Sequence, residues 1–426
     1  MLLFIFGCSP DEENTSSMVN DKTEESEKNP TQYTLTVSAA EGGSVSALSN
    51  GEGVPGGTYD KGTEITLIAS ASEGYEFVRW EGSVNNFVFK QNTPELSIKI
   101  NSDINLNAIF YNSLSISAKQ IDFDYQLAYC LDGKISSTVW LGNKLGIVIE
   151  GETPSDRDPK IMKQIIIALE RIIDQFYSIT QIGQLNMLSS YENKMVIEVV
   201  NDNCGAGGLA HHEVLGISIG ASFLNEVYNS FLSGNREIHQ IFYYEINRNF
   251  WKRKWIKKFD WAMDGGDRDW GHWTTGFNVA QAIIMPKQLN TGFIYFGWTI
   301  EQFRYKMIKN LEIYMDNEEY DFYNGWMQNR MPWDRANSVN DLMTGLIIYS
   351  YENFGGDNWL KNFYKYIDSD LVPDRENIYS YQQCRDNIYK IWSLSAEKDL
   401  ISFFTNDLKW IISNDAISFI SNFNLD

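Results

Sequence analysis

The sequence predicts a multidomain protein in which a small all-β module precedes a large, helix-rich α+β domain. Three observations lead there. Residues 33–111 alternate apolar and polar positions between glycine pairs, the period-two pattern of half-buried strands. Residues 115–426 mix short apolar runs with apolar positions at helical spacing. A chain of 426 residues also exceeds what one ordinary core accommodates.

Composition narrows the function classes. Aromatics make up 14% of the chain, with 13 Trp, 23 Tyr and 24 Phe, a load that suits a domain burying rings or gripping a ligand with them. The formal net charge of −21 argues against nucleic-acid binding, because a phosphate backbone needs a cationic face. No apolar run has the length that crosses a bilayer as a helix.

Residues 1–8 carry the localisation signal. Leu2-Leu3-Phe4-Ile5-Phe6 is a short apolar run followed by Gly7 and Cys8. This resembles the end of a bacterial lipoprotein signal, where cleavage precedes a cysteine that receives acyl chains. The resemblance implies lipidation of Cys8 and a lipid-anchored envelope protein, in the outer membrane and surface-exposed. The sequence departs from the pattern in lacking a basic n-region and in placing Phe6 where a small residue is commoner. The run is also shorter than an ordinary signal core, so a start codon further upstream is expected. A plain hydrophobic N-terminus is the alternative.

Residues 9–32 hold Asp11, Glu12, Glu13, Asp21, Glu24, Glu25 and Glu27 against two lysines and no aromatic. Such a stretch buries too little apolar surface to offset its ordering entropy and reads as a flexible tether. Acids soon after a lipid cysteine resemble the surface-export signals of Bacteroidetes lipoproteins. With Cys8 acylated, Cys130, Cys204 and Cys384 remain, so at most one bridge forms and the sequence does not choose its pair.

In the small module, Tyr33, Leu35 and Val37 alternate with threonines, Gly42-Gly43 breaks the strand, and Ser44-Val45-Ser46 starts another. Gly56-Gly57 and Lys61-Gly62 mark turns before Thr63–Ile68. Glu73–Trp80, Leu96–Ile100 and Ile104–Phe110 complete an all-β unit with Trp80 and Phe110 as core anchors. The segments YTLTVSAAEGGSV, GGTYDKGTEITLIASASEGYEFVRWEG and INLNAIF resemble the internalin B-repeat of bacterial surface proteins. That family implies a spacer or adhesive unit, with spacer the default.

In the large domain, Leu145–Glu150 and Met195–Val200 read as strands. Asp158-Pro159 opens a helix, with aspartate as N-cap and proline in the first turn. Ile161, Ile165, Leu169, Ile172, Ile173 and Phe176 give that helix a core face. Asn203-Cys204-Gly205-Ala206-Gly207-Gly208 lacks the Lys-Ser/Thr of a phosphate loop and reads as a bend. All four histidines, His211, His212, His239 and His272, fall within one stretch that also holds Trp251, Trp255, Trp261, Trp270 and Trp273. Either they share a site or they belong to an aromatic-rich helix pair and satisfy local hydrogen bonds.

Ile238–Trp251 reads as a helix, and within it Tyr244-Glu245-Ile246-Asn247-Arg248 resembles the His-Glu-x-x-His helix of zinc peptidases. There, two histidines one turn apart hold the metal and the glutamate activates its water. Here Tyr244 and Arg248 stand at the histidine positions. Thr275, in Trp273–Phe277, stands where gluzincins place the third ligand. Asn340–Asp357, with its Gly355-Gly356 turn, resembles their later helix, and Ser395–Phe404 their closing segment before a tryptophan, here Trp410. The domain thus resembles a gluzincin-type fold, near the basic secretory protein-like and enhancin-like groups. That resemblance implies a zincin-like domain with every zinc-ligand position replaced.

Three weaker features remain. Trp251–Lys258 is a basic aromatic patch that suits anionic glycans or headgroups, or else a helix end whose dipole favours cations. Asp264–Asp269 offers carboxylates in a loop that departs from the EF-hand pattern. Glu245 with Asp264 or Asp269 is a candidate carboxylate pair for glycoside hydrolysis.

The expectation is therefore a surface lipoprotein whose large domain is a pseudo-metallopeptidase, without cofactor, binding peptide or glycan. His211, His212, His239, Glu245, Arg248, His272 and Trp273 are expected to line its cleft, with Glu245 pairing Arg248. The rival is a hydrolase with metal on His211, His212 and His239 and Glu245 as general base. A third reading is an adhesin acting through the repeat.

Overall fold

A computed structural model describes residues 32–84, 87–91, 93–112, 116–259, 272–289, 291–327, 339–377 and 380–425. Cys8, nearly all of the 9–32 segment, Trp261, Trp270 and the carboxylates of 264–269 lie outside the described residues. The chain divides into two compact units, Met1–Ser113 and Leu114–Asp426.

Among its described residues, the first unit has the strands β1 (Gln32–Ala39), β2 (Gly43–Ser49), β3 (Glu52–Val54), β4 (Gly57–Asp60), β5 (Glu64–Ala71), β6 (Tyr75–Val84), β7 (Phe87–Gln91), β8 (Glu95–Lys99) and β9 (Ile104–Asn112). They form two sheets, ordered β4-β1-β9-β6-β7 and β3-β2-β5-β8. Leu35, Ile65, Leu67, Trp80, Leu106 and Phe110 fill the core, so both aromatic anchors are inside. The Gly42-Gly43 pair has a steric reason. Gly42 sits at φ +98°, and a Cβ there would meet the Tyr75 ring at 1.9 Å, while one at Gly43 would meet the Phe110 ring at 2.4 Å.

The second unit begins with β10 (Ser117–Asp124), β11 (Lys134–Leu141) and β12 (Leu145–Glu150), then α1 (Pro159–Thr180). Asp158 caps α1 by accepting from the Lys160 N–H at 2.7 Å, and Ile165, Leu169, Ile172, Ile173 and Phe176 are buried along one face. Short strands β13 (Asn186–Met187) and β14 (Ser190–Tyr191) lead into β15 (Lys194–Val200), followed by β16 (Gly208–Ala210), β17 (Val214–Leu215) and β18 (Ile217–Gly220). The main sheet runs β10-β11-β12-β15-β18-β16. Its centre, β12-β15-β18, is parallel, and β16 closes one side antiparallel to β18. The glycine-rich 203–208 segment is a bend: Cys204 and Gly205 have φ of 55° and 74°, and the Ala206 N–H donates to the Asn203 carbonyl at 2.9 Å.

Helix α2 (Ala221–Leu232) and strand β19 (Glu237–His239) precede α3 (Gln240–Phe250). The helix expected from Ile238 therefore starts two residues later. Ile238 and His239 are extended because β19 pairs in parallel with β20 (Gly292–Ile294). The remaining helices are α4 (Arg253–Phe259), α5 (His272–Leu289), α6 (Ile300–Asp316), α7 (Val339–Asn353), α8 (Asp357–Asp368), α9 (Tyr381–Ala396) and α10 (Asn414–Ser421), with π-helical turns at Phe322–Met327 and Phe403–Asp407. Gly355 and Gly356, at φ 126° and 58°, make the turn between α7 and α8.

Most of the tryptophan load is structural. Trp251 and Trp255 meet edge to face at 5.2 Å, and Trp251, Phe277, Phe363, Trp359, Trp392 and Trp273 continue as a chain of ring contacts joining α4, α5, α8 and α9. A second cluster joins Tyr314, Trp326, Phe322, Phe404 and Trp410. A disulfide joins Cys130 to Cys204, and Cys384 is buried and outside it.

Candidate functional site

Helix α3 packs against the outer strand β16, and Glu245 marks the contact. Its side chain is buried, with the residue 2% exposed. A Cβ on Gly208 would lie 2.6 Å from Glu245 Oε1, so the carboxylate rests where only a glycine leaves room. Arg248, one turn along, donates from Nη1 to Glu245 Oε2 at 3.0 Å. Burial pushes the Glu245 carboxyl up to about 7, and the Arg248 charge and hydrogen bond oppose that rise.

The face of α3 toward α5 is polar and interlocked. Burial and then the Glu245 charge push the Tyr244 phenol up, against the opposing influence of the nearby Thr275, Arg248 and Asn278 side chains. Asn247 Nδ2 donates to Asn278 Oδ1 at 2.6 Å, inside the core. Tyr244, Arg248 and Thr275, the three positions at which the zinc-peptidase pattern places ligands, thus meet around Glu245. They do not fit zinc. A guanidinium has no lone pair to offer, the Tyr244 phenol is kept protonated by burial and the Glu245 charge, and a neutral Thr275 hydroxyl is a poor zinc donor. Among the described residues, no group of three His, Cys, Asp or Glu side chains gathers at metal-holding distance.

Beside this pair lies a cavity of about 270 Å³, lined by Leu127, Tyr129, Leu209, Ala210, His211, His212, Arg248 and Arg253. The structure therefore brings together His211, His212 and Arg248, with Glu245 behind Arg248. His211 is exposed and His212 buried. Burial, then the charges of Arg248, Arg253 and His211, holds the His212 imidazole down at about 4, so it is neutral at neutral pH.

Both walls are held from behind. Asn249 of α3 donates to the carbonyls of His211 and Gly216 at 3.0 and 3.1 Å and accepts from the Gly216 N–H at 3.0 Å. Opposite, the N–H groups of Gln126, Leu127 and Ala128 converge on the buried Glu198 carboxylate at 2.9 to 3.1 Å. The Cys130–Cys204 disulfide ties this second wall to the bend that leads into β16.

The other expected cleft residues are elsewhere. His239 caps α3: its Nδ1 accepts from the Ile241 N–H at 3.1 Å, and its ring packs on Phe223 at 4.6 Å. Arg248 lies nine residues further on, roughly 13 Å along a helix, so the bunching of histidines in sequence does not bring His239 to His211 and His212. The three-histidine metal cluster is corrected accordingly. Trp273 is fully buried, its ring 5.6 Å from Trp392, and is not in the lining of this cavity. His272 opens α5 and its side chain is outside the described residues.

The basic patch is largely spent inside the domain. Lys252 and Lys254 both reach Asp368 at 2.9 Å, Trp255 Nε1 donates to it at 2.9 Å, and Lys258 donates to the carbonyls of Ser369 and Val372. Burial alone would raise the Asp368 carboxyl, but these donors outweigh it and hold it at about 2. They fasten the end of α8. Only Arg253, from the same patch, reaches the cavity.

Leu127, Tyr129, Leu209 and Ala210 were not singled out from sequence, and Arg253 only as part of the basic patch. The signal available was the Cys130–Cys204 pairing, which sets Tyr129 opposite the glycine-rich bend; with three free cysteines that pairing was not readable.

A β-rich module followed by a helix-rich α+β domain is thus the class this chain defines. The sequence model of the divergent InlB B-repeat domain family matches residues 33–113. Among solved structures, a conserved protein of unknown function from Bacillus anthracis str. Ames, in mutant form, aligns at 13% identity and TM-score 0.43, covering 86% of this chain and 71% of that one. A metallopeptidase in complex with Tn antigen aligns at 9% identity and TM-score 0.39, covering 92% and 77%. The ZmpB metallopeptidase from Clostridium perfringens aligns at 12% identity and TM-score 0.34, covering 88% and 74%. No curated protein matches the sequence. Scores of this size leave the chemistry of the site to its own residues.

Proposed function

We propose that the large domain is a zincin-like scaffold whose metal position has become an ion pair, and that its cleft binds peptide or glycan without zinc-dependent hydrolysis. The observation that carries this is the Arg248–Glu245 pair at 3.0 Å, which sets a fixed cation on the carboxylate that would otherwise activate water. Tyr244, its phenol pushed up by burial, and Thr275 stand at the remaining ligand positions. The repeat module acts as the spacer, and Cys8 as the lipid anchor of a surface-exposed outer-membrane protein.

Purified protein should carry no stoichiometric zinc near Glu245, and chelators should leave its melting temperature unchanged. Tyr244→His with Arg248→His and Thr275→Glu is expected to restore metal binding, because Glu245 is already in place. One zinc per chain near Glu245 in the unaltered protein would overturn the reading. Cys8→Ala should abolish lipid labelling and membrane association; unchanged association without label in either form sinks the anchor.

A hydrolase is the second reading, favoured by one observation: a carboxyl pushed up to about 7 is tuned for general-base work near neutral pH. Against it, Glu245 is held by Arg248 and is not among the cavity-lining residues. Peptide or glycan hydrolysis that disappears in Glu245→Gln would promote it.

A further inference from the structure

We infer that the cavity beside Arg248 receives a carboxylate carried by a peptide. The inference rests on the proposal above that the cleft binds its ligand without zinc. Its lining holds two guanidinium groups, Arg248 and Arg253, two imidazoles and no carboxylate. This occurs in a chain with 56 acidic and 35 basic residues, so the cavity is a local reversal of the prevailing charge. Acids next to the lining are engaged: Glu198 accepts from the Leu127 N–H behind one wall at 3.0 Å. Glu245 lies behind Arg248 and accepts its Nη1 hydrogen bond, and the Glu213 carboxylate accepts from the Arg253 backbone N–H at 3.3 Å. One such bond leaves other donors of the planar Arg248 fork for a second anion, and its side chain is 27% exposed.

The rest of the lining says what carries the anion. Leu127, Leu209 and Tyr129, the last 74% exposed, give an apolar wall for a hydrocarbon stem. The neighbouring strand decides for peptide over glycan. Among the described residues β16 pairs with β18 alone, so its outer edge carries backbone donors and acceptors that an extended chain can match and a sugar cannot. The walls are also preorganised, by Asn249 on one side and by Glu198 and the disulfide on the other.

The test uses the full chain in calorimetric titrations with an oligoglucuronate and three N-acetylated pentapeptides: Ala-Ala-Glu-Ala-Ala as its amide, the same peptide with Gln for Glu, and the Gln peptide with a free C-terminus. A carboxylate-bearing peptide should bind at least roughly tenfold tighter than the uncharged one. Preference for the Glu peptide assigns a side-chain carboxylate, and preference for the free acid a C-terminal one; either supports the inference. Arg253→Glu, at an exposed position, should remove the preference, and Arg253→Lys should keep part of it. Equal affinity for charged and uncharged peptides, or a preference that survives Arg253→Glu, overturns the inference and leaves a peptide-binding cleft standing. Binding of an oligoglucuronate with no binding of any peptide overturns the choice of peptide, and silence of every probe overturns the inference outright. The zinc-free reading falls separately, on zinc content and hydrolysis.

Discussion

The two ends of helix α3 carry buried titratable groups, and they are held in different ways. At its start, His239 accepts a cap hydrogen bond from the Ile241 N–H and packs on Phe223. Toward its end, Glu245 and Arg248 form an ion pair against Gly208, beside a cavity whose walls are tied by a disulfide and by Asn249. A buried polar group needs a partner wherever it sits. What distinguishes the Arg248 end is that its partners also leave space and spare donors next to the pair.

Breaking the disulfide should have the largest effect. Cys130 and Cys204 are 74 residues apart, so Cys130→Ser with Cys204→Ser is expected to cost about 4 kcal/mol in the chain-entropy account. Ligand affinity at the cavity should weaken as its walls come apart. Denaturant unfolding and titration of the same variant check both; a stability loss with unchanged affinity would show that the staple serves the fold alone.

The ion pair comes next, and its effect depends on pH. The Glu245 carboxyl stands at about 7 against an ordinary 4.5, so the stability tied to its protonated form is full below about pH 4.5 and is lost as pH rises through 7. Glu245→Gln should remove that decline, a change relative to the parent of roughly 3 kcal/mol across the window. Arg248→Ala should do the reverse. It leaves the carboxylate unpaired at pH 8, at a cost of roughly 3 kcal/mol, and does little near pH 5. Equal losses at both pH values would mean that Arg248 acts through packing.

His239→Ala should be smallest, roughly 1 kcal/mol for a lost cap, measured by thermal melting. Its imidazole is held down at about 4 by burial, so its contribution is full above about pH 6.5 and is lost as pH falls through 4, opposite in sign to Glu245. His239→Asn, which keeps a capping oxygen, should recover most of the loss. Altered ligand binding in His239→Ala would erase the contrast between the two ends of the helix.

Some of this was readable in advance because it is local. The Asp158-Pro159 start of α1, the Gly42-Gly43 break, the Trp80 and Phe110 anchors and the Gly355-Gly356 turn all follow from conformational preferences of neighbouring residues. The Glu245–Arg248 pair was readable for the same reason, since residues three apart share a helix face. Trp273 and His239 were misplaced because a helical residue's direction depends on what surrounds the helix. Trp273 points into a belt of rings contributed by α8 and α9, and His239 was displaced from the helix by pairing of β19 with β20.

By itself the sequence determined the division into a β module and a larger α+β domain, the B-repeat likeness of the first, and the Glu245–Arg248 pairing in the second. Each is a property of residue type and near-neighbour spacing. The tertiary structure alone decided which cysteines pair, which histidines face the cavity and which arginine joins Arg248 there. Those outcomes depend on segments as far apart as Leu127 and Arg253, brought together by strand order and helix packing that no local pattern encodes.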